Sequence, residues 1–347
     1  MLYKYILIII LLCFFFNKRT NNYFSFIITT RKNKDLPLMN ESFFNLNIYG
    51  GIKDKYERNL FRLNKTAFYI KQRTAYLLEF NISYNESNLI TFQDKLNYLI
   101  IHESPSYKSF LADKIKVHKY SETVLGKDIC VPIIRIYNNI NEINFTELPK
   151  QFVMKLNHGS KMNIICKDKY KLNISYTLNL LKKWKNKNFG YLYKEFQYLY
   201  IKRKIFVEQF IGDNLIDYKI FCFNGEPKFI RIRKFLKDGN DTKIHNHYNI
   251  NWELLDLESG LKGYIRDPNI KIDKPQNLNL MIKYAKILSQ EFVFVRVDLY
   301  EVNNTVYLGE LTFSPSNSII SWKNKEQSIK IAKLMDLNRI KDYLFNK

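Results

Sequence analysis

The sequence has few cysteines, and their spacing excludes two kinds of site. Four cysteines are spread over the chain: Cys13, Cys130, Cys166 and Cys222. None forms a CxxC pair, so neither a disulfide framework nor a cysteine-based zinc site is expected, and we predict reduced, mostly buried thiols. His245 and His247 are the only histidines close together, and their polar surroundings offer no Cys or acid at ligand spacing. We therefore predict a solvent-exposed loop for these two histidines.

A concentrated basic face and a known nucleic-acid-binding module are both missing, although the chain is strongly basic. Its 55 Lys and Arg residues exceed its 33 Asp and Glu residues, which gives a formal net charge of +22. The basic residues are spread along the whole chain and interleaved with Ile, Asn and Tyr, a pattern that does not favour nucleic-acid binding. The excess charge still favours an anionic partner, such as nucleotide phosphates, an acidic polysaccharide or an anionic membrane surface.

No small-residue cleavage site follows the apolar run near the N-terminus. Residues 2–16 are apolar apart from Lys4, and the run is near the lower length limit for a membrane span. Three alternatives remain: a signal peptide, a signal anchor, or an apolar helix with no membrane role. Without a cleavage site the signal peptide is the weakest of them. Lys18 and Arg19 follow the run, so an anchor would leave the body of the protein on the cytoplasmic side, and we predict a cytoplasmic location with or without this anchor.

The rest of the chain mixes helical and strand patterns. Its 347 residues, 46% of them apolar, are enough for a full core and two or three subdomains. We divide the sequence into an apolar segment (1–20), a linker with little fixed structure (21–59), a mostly helical region (60–147) and two segments rich in strands (148–212 and 213–347). Hairpins in place of strict βαβ alternation predict an α+β, or mixed α/β, architecture.

The clearest chemical pattern is a predicted β-hairpin that carries two acids. From 292 to 300, apolar residues occupy every second position, and Arg296 and Asp298 lie on the other face. A turn centred on Asn304 would place Glu310 of the returning strand directly opposite Asp298. Like charges across a strand pair repel each other, so this pairing favours a cation between the two carboxylates. The alternative is a solvated sheet face with unrelated acids.

The same turn fixes the expected face of the returning strand. By alternation, four residues should share one face of it: Val306, Leu308, Glu310 and Thr312. In this register Thr312 lies opposite Arg296.

Lys155 ends a predicted strand and is followed by the small-residue turn Asn157-His158-Gly159-Ser160. The turn offers backbone N–H groups and a hydroxyl, and the lysine adds a positive charge, so together they can hold a phosphate. An ordinary surface turn is the alternative.

Three further charged residues lie on predicted strands. Glu208 is embedded in the apolar run IFVEQFI, either in a cleft, which we favour, or at an edge in water. Asp217 and Lys219 share a strand face in DYKIF, where a simple ion pair is the alternative to a functional role.

A second predicted hairpin, DYKIFCF-NG-EPKFIRIRKF, turns on Asn224-Gly225. With a plain two-residue turn, Arg231 and Arg233 would point away from Lys219. A bulge would reverse this arrangement, so the role of the two arginines stays open.

The order of these parts resembles the ATP-grasp fold, and the motifs are similar to those of the TupA-like ATP-grasp family of polysaccharide-biosynthesis proteins. The similar motifs are LADKIKVHKY, LPKQFVMKLNHGS, VEQF, DYKIFCFNG, the NW of Asn251-Trp252, FVRVDLY and GELTF. The resemblance extends from about Thr91 to Ser314. It implies two α+β lobes, 148–212 and 213–347, that hold a nucleotide between them and follow a helical N-terminal region.

The resemblance also implies site residues. One group would bind ATP: Lys114, Lys155, His158, Gly159, Ser160, Glu208 and Asp217. Within this group the two lysines and the loop would contact phosphates, the glutamate would lie at the adenine-binding hinge and the aspartate near the ribose. A second group would hold Mg²⁺: Asp298, Glu310 and Thr312. Arg296 and Lys219 form the implied catalytic pair, and the arginine would face the substrate carboxylate or its acyl phosphate.

The sequence departs from the family pattern at three places. HGSKMN lacks the second glycine that usually follows the serine of the loop, and the usual glycine is missing from PSNSII. Thr312 stands where many ATP-grasp enzymes carry a metal-binding Asn.

The implied activity is that of an ATP- and Mg²⁺-dependent carboxylate–amine ligase, acting through an acyl phosphate in teichuronopeptide-like or capsule-like polysaccharide biosynthesis. Its partners would be an acidic saccharide or peptide-like acceptor and an amine donor. Two alternatives remain open. One is a glycosyltransferase-type enzyme of the same pathways, for which no D-x-D motif stands at a strand end, and the other is a non-catalytic member that binds nucleotide or polysaccharide.

Overall fold

The computed structural model describes residues 54–103, 105–213, 215–235, 243–319 and 322–340. The apolar segment 1–20 and most of the predicted linker 21–59 lie outside these residues, and so does the predicted membrane association through residues 2–16. Within the described ranges, no helix is both long enough and apolar enough to span a membrane.

A group of helices comes first in the described chain. Its members are α1 (Lys55–Leu63), α2 (Lys65–Leu78), α3 (Phe92–His102), α4 (Pro105–Ala112) and α5 (Val117–Leu125). The side chains of Asp54, Asn64 and Thr91 accept hydrogen bonds from the first-turn N–H groups of α1, α2 and α3. Because α1 begins at Lys55, the last residues of the segment 21–59 are helical.

A four-stranded antiparallel sheet follows, with the strand order β1-β4-β2-β3. Its strands are β1 (Ile133–Tyr137), β2 (Phe152–Leu156), β3 (Asn163–Cys166) and β4 (Ile205–Gln209). Helices α6 (Ile174–Asn186) and α7 (Phe189–Tyr193) lie between β3 and β4 in the chain. Phe152, Met154 and Leu156 of β2 are buried in the core of this part, so the alternate position Lys155 points to the opposite face.

The larger sheet has six strands in the order β10-β9-β5-β6-β7-β8, and only β7 and β8 are parallel neighbours. Its strands are β5 (Tyr218–Phe223), β6 (Glu226–Phe235), β7 (Lys243–Asn249), β8 (Tyr264–Ile265), β9 (Phe294–Val302) and β10 (Thr305–Thr312). Helices α8 (Leu278–Ser289) and α9 (Lys325–Ala332) complete the described elements. Helices combined with two largely antiparallel sheets confirm the predicted α+β class.

The two faces of the larger sheet differ in chemistry. One face packs against α8, whose Ala285 carbonyl lies 3.9 Å from Cys222 Sγ of β5. On the other face an aromatic cluster includes Phe221, Phe294 and Trp322. Beyond this cluster the second face becomes charged, and the predicted site residues of β5, β9 and β10 lie there.

A bulge shapes the β9–β10 hairpin. Leu308 pairs with Leu299, and after a shift in register Glu310 pairs with Asp298, as predicted. Gly309 is the extra residue, and it moves the acid to the face opposite Leu308. The prediction that Leu308 and Glu310 share a face is therefore wrong, because simple alternation cannot anticipate an inserted residue.

The remaining pairs follow from the same bulge. Thr312 lies opposite Arg296, as predicted, while Val306 lies before the bulge, on the face of Leu308. Of the four residues predicted to share one face of β10, only Glu310 and Thr312 lie on the charged face of the sheet.

A second bulge decides the orientation of Arg231. Asn224 and Gly225 have φ values of 51° and 82°, which suit a two-residue hairpin turn. The register between β5 and β6 shifts after Phe221, and Lys219 then pairs directly with Arg231. The open alternative is thus decided: Arg231 lies on the same face as Lys219.

His245 and His247 belong to strand β7, and their exposed fractions are 1% and 0%. The prediction of an exposed loop is wrong. Strands β6 and β8 pair with its two edges, and residues 244–248 are all buried, so both faces of this polar strand are covered as well. Among the described cysteines, Cys130, Cys166 and Cys222 are free and buried, which confirms that prediction for these three.

Candidate functional site

Five charged or polar side chains form one continuous row across the larger sheet. The cross-strand pairs run from Glu310 to Asp298, from Asp298 to Lys219, from Lys219 to Arg231 and from Arg231 to His247. Neighbouring strands are about 4.8 Å apart, so the members of the row lie side by side on one face of the sheet. The site therefore extends well beyond the two acids that first indicated it.

Asp298 is the buried centre of this row, with an exposed fraction of 1%. Arg296 Nε and Nη2 donate to its two carboxylate oxygens at 2.6 Å each, and Lys219 Nζ donates to Oδ2 at 2.7 Å. Lys219 also forms an ion pair with Asp217. Two cations thus offset the negative charge of Asp298, and the predicted catalytic pair directly contacts a predicted metal ligand.

Glu310 connects the sheet to the loop after β2. Thr312 Oγ1 donates to Glu310 Oε1 at 3.0 Å, and Arg296 Nη2 lies 3.5 Å from the same oxygen. Lys114 Nζ lies 3.3 Å from Glu310 Oε2 and donates to the Gly159 carbonyl at 2.8 Å. The ammonium group of Lys114, a predicted phosphate ligand, therefore contacts both a predicted loop residue, Gly159, and a predicted metal ligand, Glu310.

The surrounding cations keep Glu310 ionised. Burial alone would raise the pKa of its carboxyl group, but the positive charges of Lys114, Arg296 and Lys219 outweigh burial and lower the pKa to about 2. Burial and the nearby charge of Asp298 act in the opposite direction on Asp217 and raise its pKa.

The three predicted loop residues have different surroundings. His158 is 1% exposed, and its Nε2 lies 3.3 Å from the Lys187 carbonyl. Burial and nearby positive charges lower the His158 pKa to about 3, so the ring is neutral at physiological pH. A Cβ added to Gly159 would lie within 3 Å of Met162 and of the Phe189 ring, whereas Ser160 is exposed. Close packing thus accounts for the glycine, and Ser160 is the member accessible to a ligand.

Lys155 and Glu208 form an ion pair between β2 and β4. Glu208 is 7% exposed and β4 lies between β1 and β2, so the alternative of an edge position in water is wrong, and the cleft stays a prediction. The family resemblance implies a phosphate contact for Lys155 and a place at the adenine-binding hinge for Glu208. In the structure the two side chains lie side by side on one face of the smaller sheet.

Tyr300 is a site residue that sequence reasoning passed over. Burial raises the pKa of its hydroxyl, and the carboxylates of Asp217, Glu310, Asp298 and Glu208 raise it further. Tyr300 therefore lies within electrostatic reach of acids from both sheets. Tyr300 follows Asp298 by two residues in β9, so strand alternation places the two side chains on the same face. This spacing is the sequence pattern that indicates Tyr300.

Asn157 is a second missed residue, and it positions Lys114. Its side chain is fully buried, and Nδ2 donates at 3.0 Å to both Asp113 Oδ1 and the Lys202 carbonyl. Its Oδ1 accepts from Lys204 N–H at 2.8 Å. The polar turn after β2 thus holds three separate chain segments together, which no local pattern indicates.

Glu195 is a third missed group, next to the end of β10. It is 8% exposed and accepts a hydrogen bond from Ser314 Oγ, which in turn accepts from Gln197 Nε2 at 2.9 Å. Burial raises the pKa of Glu195 to about 7. This carboxyl group therefore titrates near neutral pH within electrostatic reach of Glu310.

The donor set on the charged face suits Mg²⁺. Asp298 and Glu310 offer carboxylate oxygens and Thr312 a hydroxyl, and hard oxygen ligands of this kind are those that Mg²⁺ prefers. The ammonium groups of Lys114 and Lys219 contact the same two carboxylates, so the acids already have cationic partners.

The sequence from residue 94 to residue 333 matches the family described as TupA-like ATPgrasp. This match covers well over half of the chain, so the protein belongs to the TupA-like ATP-grasp family. Its fold is therefore the ATP-grasp fold, an ATP-dependent ligase-type architecture, as the sequence motifs predicted. No curated protein matches the chain.

Several solved structures are similar in fold. The D-alanine–D-alanine ligase from Bacillus anthracis has 16% identity and a TM-score of 0.38, covering 68% of this chain and 67% of that one. For the D-alanyl-alanine synthetase A from Vibrio cholerae these values are 10%, 0.43, 73% and 72%. For the N5-carboxyaminoimidazole synthetase from Staphylococcus aureus, solved with ADP, they are 12%, 0.33, 61% and 47%, so the chain spans about half of that protein. Similarity at these TM-scores supports no conclusion about this chain.

Proposed function

We propose that the protein is an ATP- and Mg²⁺-dependent carboxylate–amine ligase that works through an acyl phosphate in cell-surface polysaccharide biosynthesis. The observation that supports this most directly is the position of Lys114, whose ammonium contacts both the Gly159 carbonyl and Glu310. A phosphate held by the loop would then lie beside the acids that suit Mg²⁺. Membership of the TupA-like family supports the polysaccharide role.

Each charged group has a role in this proposal. Lys114 and Lys155 hold the phosphates of ATP, and Arg296 holds the acceptor carboxylate and then the acyl phosphate. Asp298 and Glu310, with the Thr312 hydroxyl, hold Mg²⁺, which supplies charge neutralisation of the transferring phosphoryl group. When ATP binds, the ammonium groups that now face the carboxylates gain phosphate oxygens as additional partners.

The proposed chemistry has two steps. An oxygen of the acceptor carboxylate attacks the γ-phosphorus, the bond to the β–γ bridging oxygen breaks, and ADP leaves. The nitrogen of the amine donor then attacks the acyl carbon, the carbon–oxygen bond to phosphate breaks, and an amide and inorganic phosphate form as the nitrogen loses a proton. Cations arranged in advance around the reacting oxygens lower the barrier of both steps.

The acceptor in this proposal is an acidic saccharide or peptide-like polymer. The net charge of +22 would attract such a polymer, and the covered cations near Asp298 would hold its reacting carboxylate.

Isothermal titration with AMP-PNP, with and without Mg²⁺, tests the nucleotide site. We expect Mg²⁺-dependent binding to the wild-type chain and binding at least about tenfold weaker to Lys114→Met, because a charge-assisted contact is lost. Lys119→Met, which removes an exposed lysine paired with Glu122, is the matched control.

Absence of nucleotide binding in the wild-type chain would overturn the proposal. Binding without ADP release on any acidic acceptor would favour a non-catalytic, nucleotide-binding protein instead.

A further inference from the structure

Arg231 is a buried cation without an anionic partner in contact. Its exposed fraction is 7%, and its Nε is buried with no hydrogen-bond partner. Within the described ranges of the chain its side chain has no ion pair and no hydrogen bond, and its guanidinium lies 5.2 Å from the centre of the Phe221 ring. A buried charge of this kind is costly unless a partner outside the described protein groups offsets it.

The surroundings of Arg231 increase this cost. Burial and the positive charge of Arg296 lower its pKa to about 9, and the charges of Asp298 and Asp217 offset this only in part. The cross-strand neighbour His247 cannot supply a negative charge, because burial and the charge of Arg231 lower its own pKa to about 3 and keep it neutral. The environment therefore favours an anion.

A pocket opens beside Arg231. The polar residues Ser259 and Ser316 line it together with the aromatic residues Phe92, Phe221 and Trp322. Pro315 and Ser316 also line the pocket, and they follow closely after β10 with its Thr312, so the pocket adjoins the charged row. One cation, two hydroxyls and aromatic walls suit a carboxylate attached to a small polar body.

We propose that Arg231 binds a second acidic group of the acceptor, in addition to the carboxylate that reacts. Arg231 lies two strands away from Asp298, which is roughly 10 Å at normal strand spacing. The acceptor is then a polyacid, an oligo-uronate or an acidic peptide with carboxylates on neighbouring units, and a molecule with one isolated acid would bind less tightly. This inference rests on the proposed ligase function for the identity of the reacting group.

Isothermal titration with tri-galacturonate and with tri-glutamate tests this subsite, with neutral maltotriose as the reference ligand. Each titration uses the full chain saturated with AMP-PNP and Mg²⁺. We expect one of the two acids to bind the wild-type chain, and Arg231→Met to weaken that binding about tenfold or more. The control Arg135→Met, which removes an exposed arginine from β1 of the smaller sheet, should bind as the wild type does.

Thermal unfolding provides a second measurement that does not depend on binding. Because Arg231→Met removes an uncompensated buried charge, the ligand-free variant should unfold at the same or a higher temperature than the wild type. The acid should raise the unfolding temperature of the wild type by clearly more than that of Arg231→Met at the same acid concentration. A lower unfolding temperature in the ligand-free variant, with acid binding retained, would show a purely structural arginine.

Three results would overturn the inference. These are equal acid affinity in Arg231→Met and wild type, no binding of either acid to the chain saturated with AMP-PNP, and, in a separate titration of the nucleotide-free chain, acid binding that AMP-PNP then displaces, which would identify a nucleotide phosphate as the partner of Arg231. Failure of the proposed function is distinguishable, because it appears as absent AMP-PNP binding in the wild type. An Arg231-dependent acid affinity measured without nucleotide would then still support the subsite.

Discussion

Lys114 is a single residue that joins distant parts of this chain. Its ammonium reaches the carbonyl of Gly159 and the carboxylate of Glu310, although it lies in a turn between α4 and α5. No periodic pattern marks a lysine in such a turn, so only the family motif around it predicted a role. A contact of this kind depends on the completed fold and is invisible to composition or alternation.

Glu310→Gln is expected to abolish Mg²⁺-dependent ATP turnover and to leave the fold intact. The amide has nearly the same size but lacks the negative charge that Lys114, Arg296 and a bound cation require. ADP release at saturating Mg²⁺ measures turnover, and the circular dichroism spectrum reports the fold.

Glu326→Gln is the control for this change, since it neutralises an exposed acid in the first turn of α9. The control should turn over ATP as the wild type does. Wild-type turnover in Glu310→Gln would show that the assignment to Mg²⁺ is wrong.

We expect the free energy of unfolding to fall as the pH rises, because of the ionisation of Glu195. Burial raises its pKa from 4.5 to about 7, so between these values the folded state binds more protons than the unfolded state. The free energy of unfolding then falls with increasing pH, by on the order of 3 kcal/mol in full. Glu195→Gln should remove this fall, which urea unfolding below about pH 5 and above about pH 8 would reveal. Parallel pH profiles for variant and wild type would contradict the assignment.

Single-residue predictions succeeded where strand alternation was unbroken, as for Arg296 and Asp298 on one face of β9. Asp298 and Glu310 are opposite each other as expected, but the turn alone would offset them by one residue, and the bulge at Gly309 restores the pair. Asn157 and Glu195 were missed, since their partners are backbone groups and hydroxyls of other segments. Contacts formed by irregular chain have no period from which to predict them.

At the scale of elements, the two bulges decide which side chains share the site. Leu308 pairs with Leu299, so without the bulge the next residue, Gly309, would pair with Asp298. Glu310 would then lie on the opposite face of the sheet from Asp298. Turn residues such as Asn224-Gly225 were readable from the sequence. An inserted residue inside a strand is not, because it depends on the register of the partner strand.

Gly309→Ala tests the importance of the hairpin bulge. A Cβ at this position would lie 2.6 Å from Tyr300 Cε2, so the tyrosine ring or the strand must move. We expect a loss of about 1–3 kcal/mol in the free energy of unfolding and weaker Mg²⁺-dependent nucleotide binding. Urea unfolding and titration with AMP-PNP measure the two effects.

Removal of the obstructing ring provides the matching control. In a Tyr300→Ala background, Gly309→Ala should cost clearly less than it does in the wild type, because the clash is gone. Equal costs in both backgrounds would show that ring contact is not the reason for the glycine.

At the scale of the whole molecule, Arg73 holds several separate regions together. It is fully buried, and its guanidinium donates to Asn97 Oδ1 at 2.7 Å, to Asn317 Oδ1 at 2.9 Å and to the Tyr193 carbonyl at 3.3 Å. Asn317 lies in a run of three non-glycine residues with φ between 52° and 56°. Such a conformation persists only where surrounding contacts fix it.

Arg73→Met is expected to lower the free energy of unfolding by about 3 kcal/mol or more, because buried acceptors lose a charged donor. Arg73→Lys should recover little of this, since a single ammonium cannot reach acceptors on several sides. Urea unfolding measures both variants, and the exposed Arg135→Met serves as reference. A loss below about 1 kcal/mol would refute this role.

Molecule-wide features were predictable to different degrees. The order of motifs predicted the family and the fold, and the hairpin signals predicted an α+β class. The burial of His245 and His247 was not predictable, because it depends on residues from distant parts of the chain, such as Tyr264 and Trp322, that pack against the two rings. The net charge indicates an anionic partner but not where it binds. The proposed binding residue, Arg231, can be recognised only in the folded chain, where its side chain is buried.

The buried thiols have a practical consequence for chemical labelling. Burial raises the pKa of Cys130, Cys166 and Cys222, so all three should react slowly with maleimides. In a Cys13→Ser background, the exposed Ser160 can therefore be replaced by cysteine to give a selectively modified thiol on the loop. Its labelling rate would then report in real time when a nucleotide shields that loop.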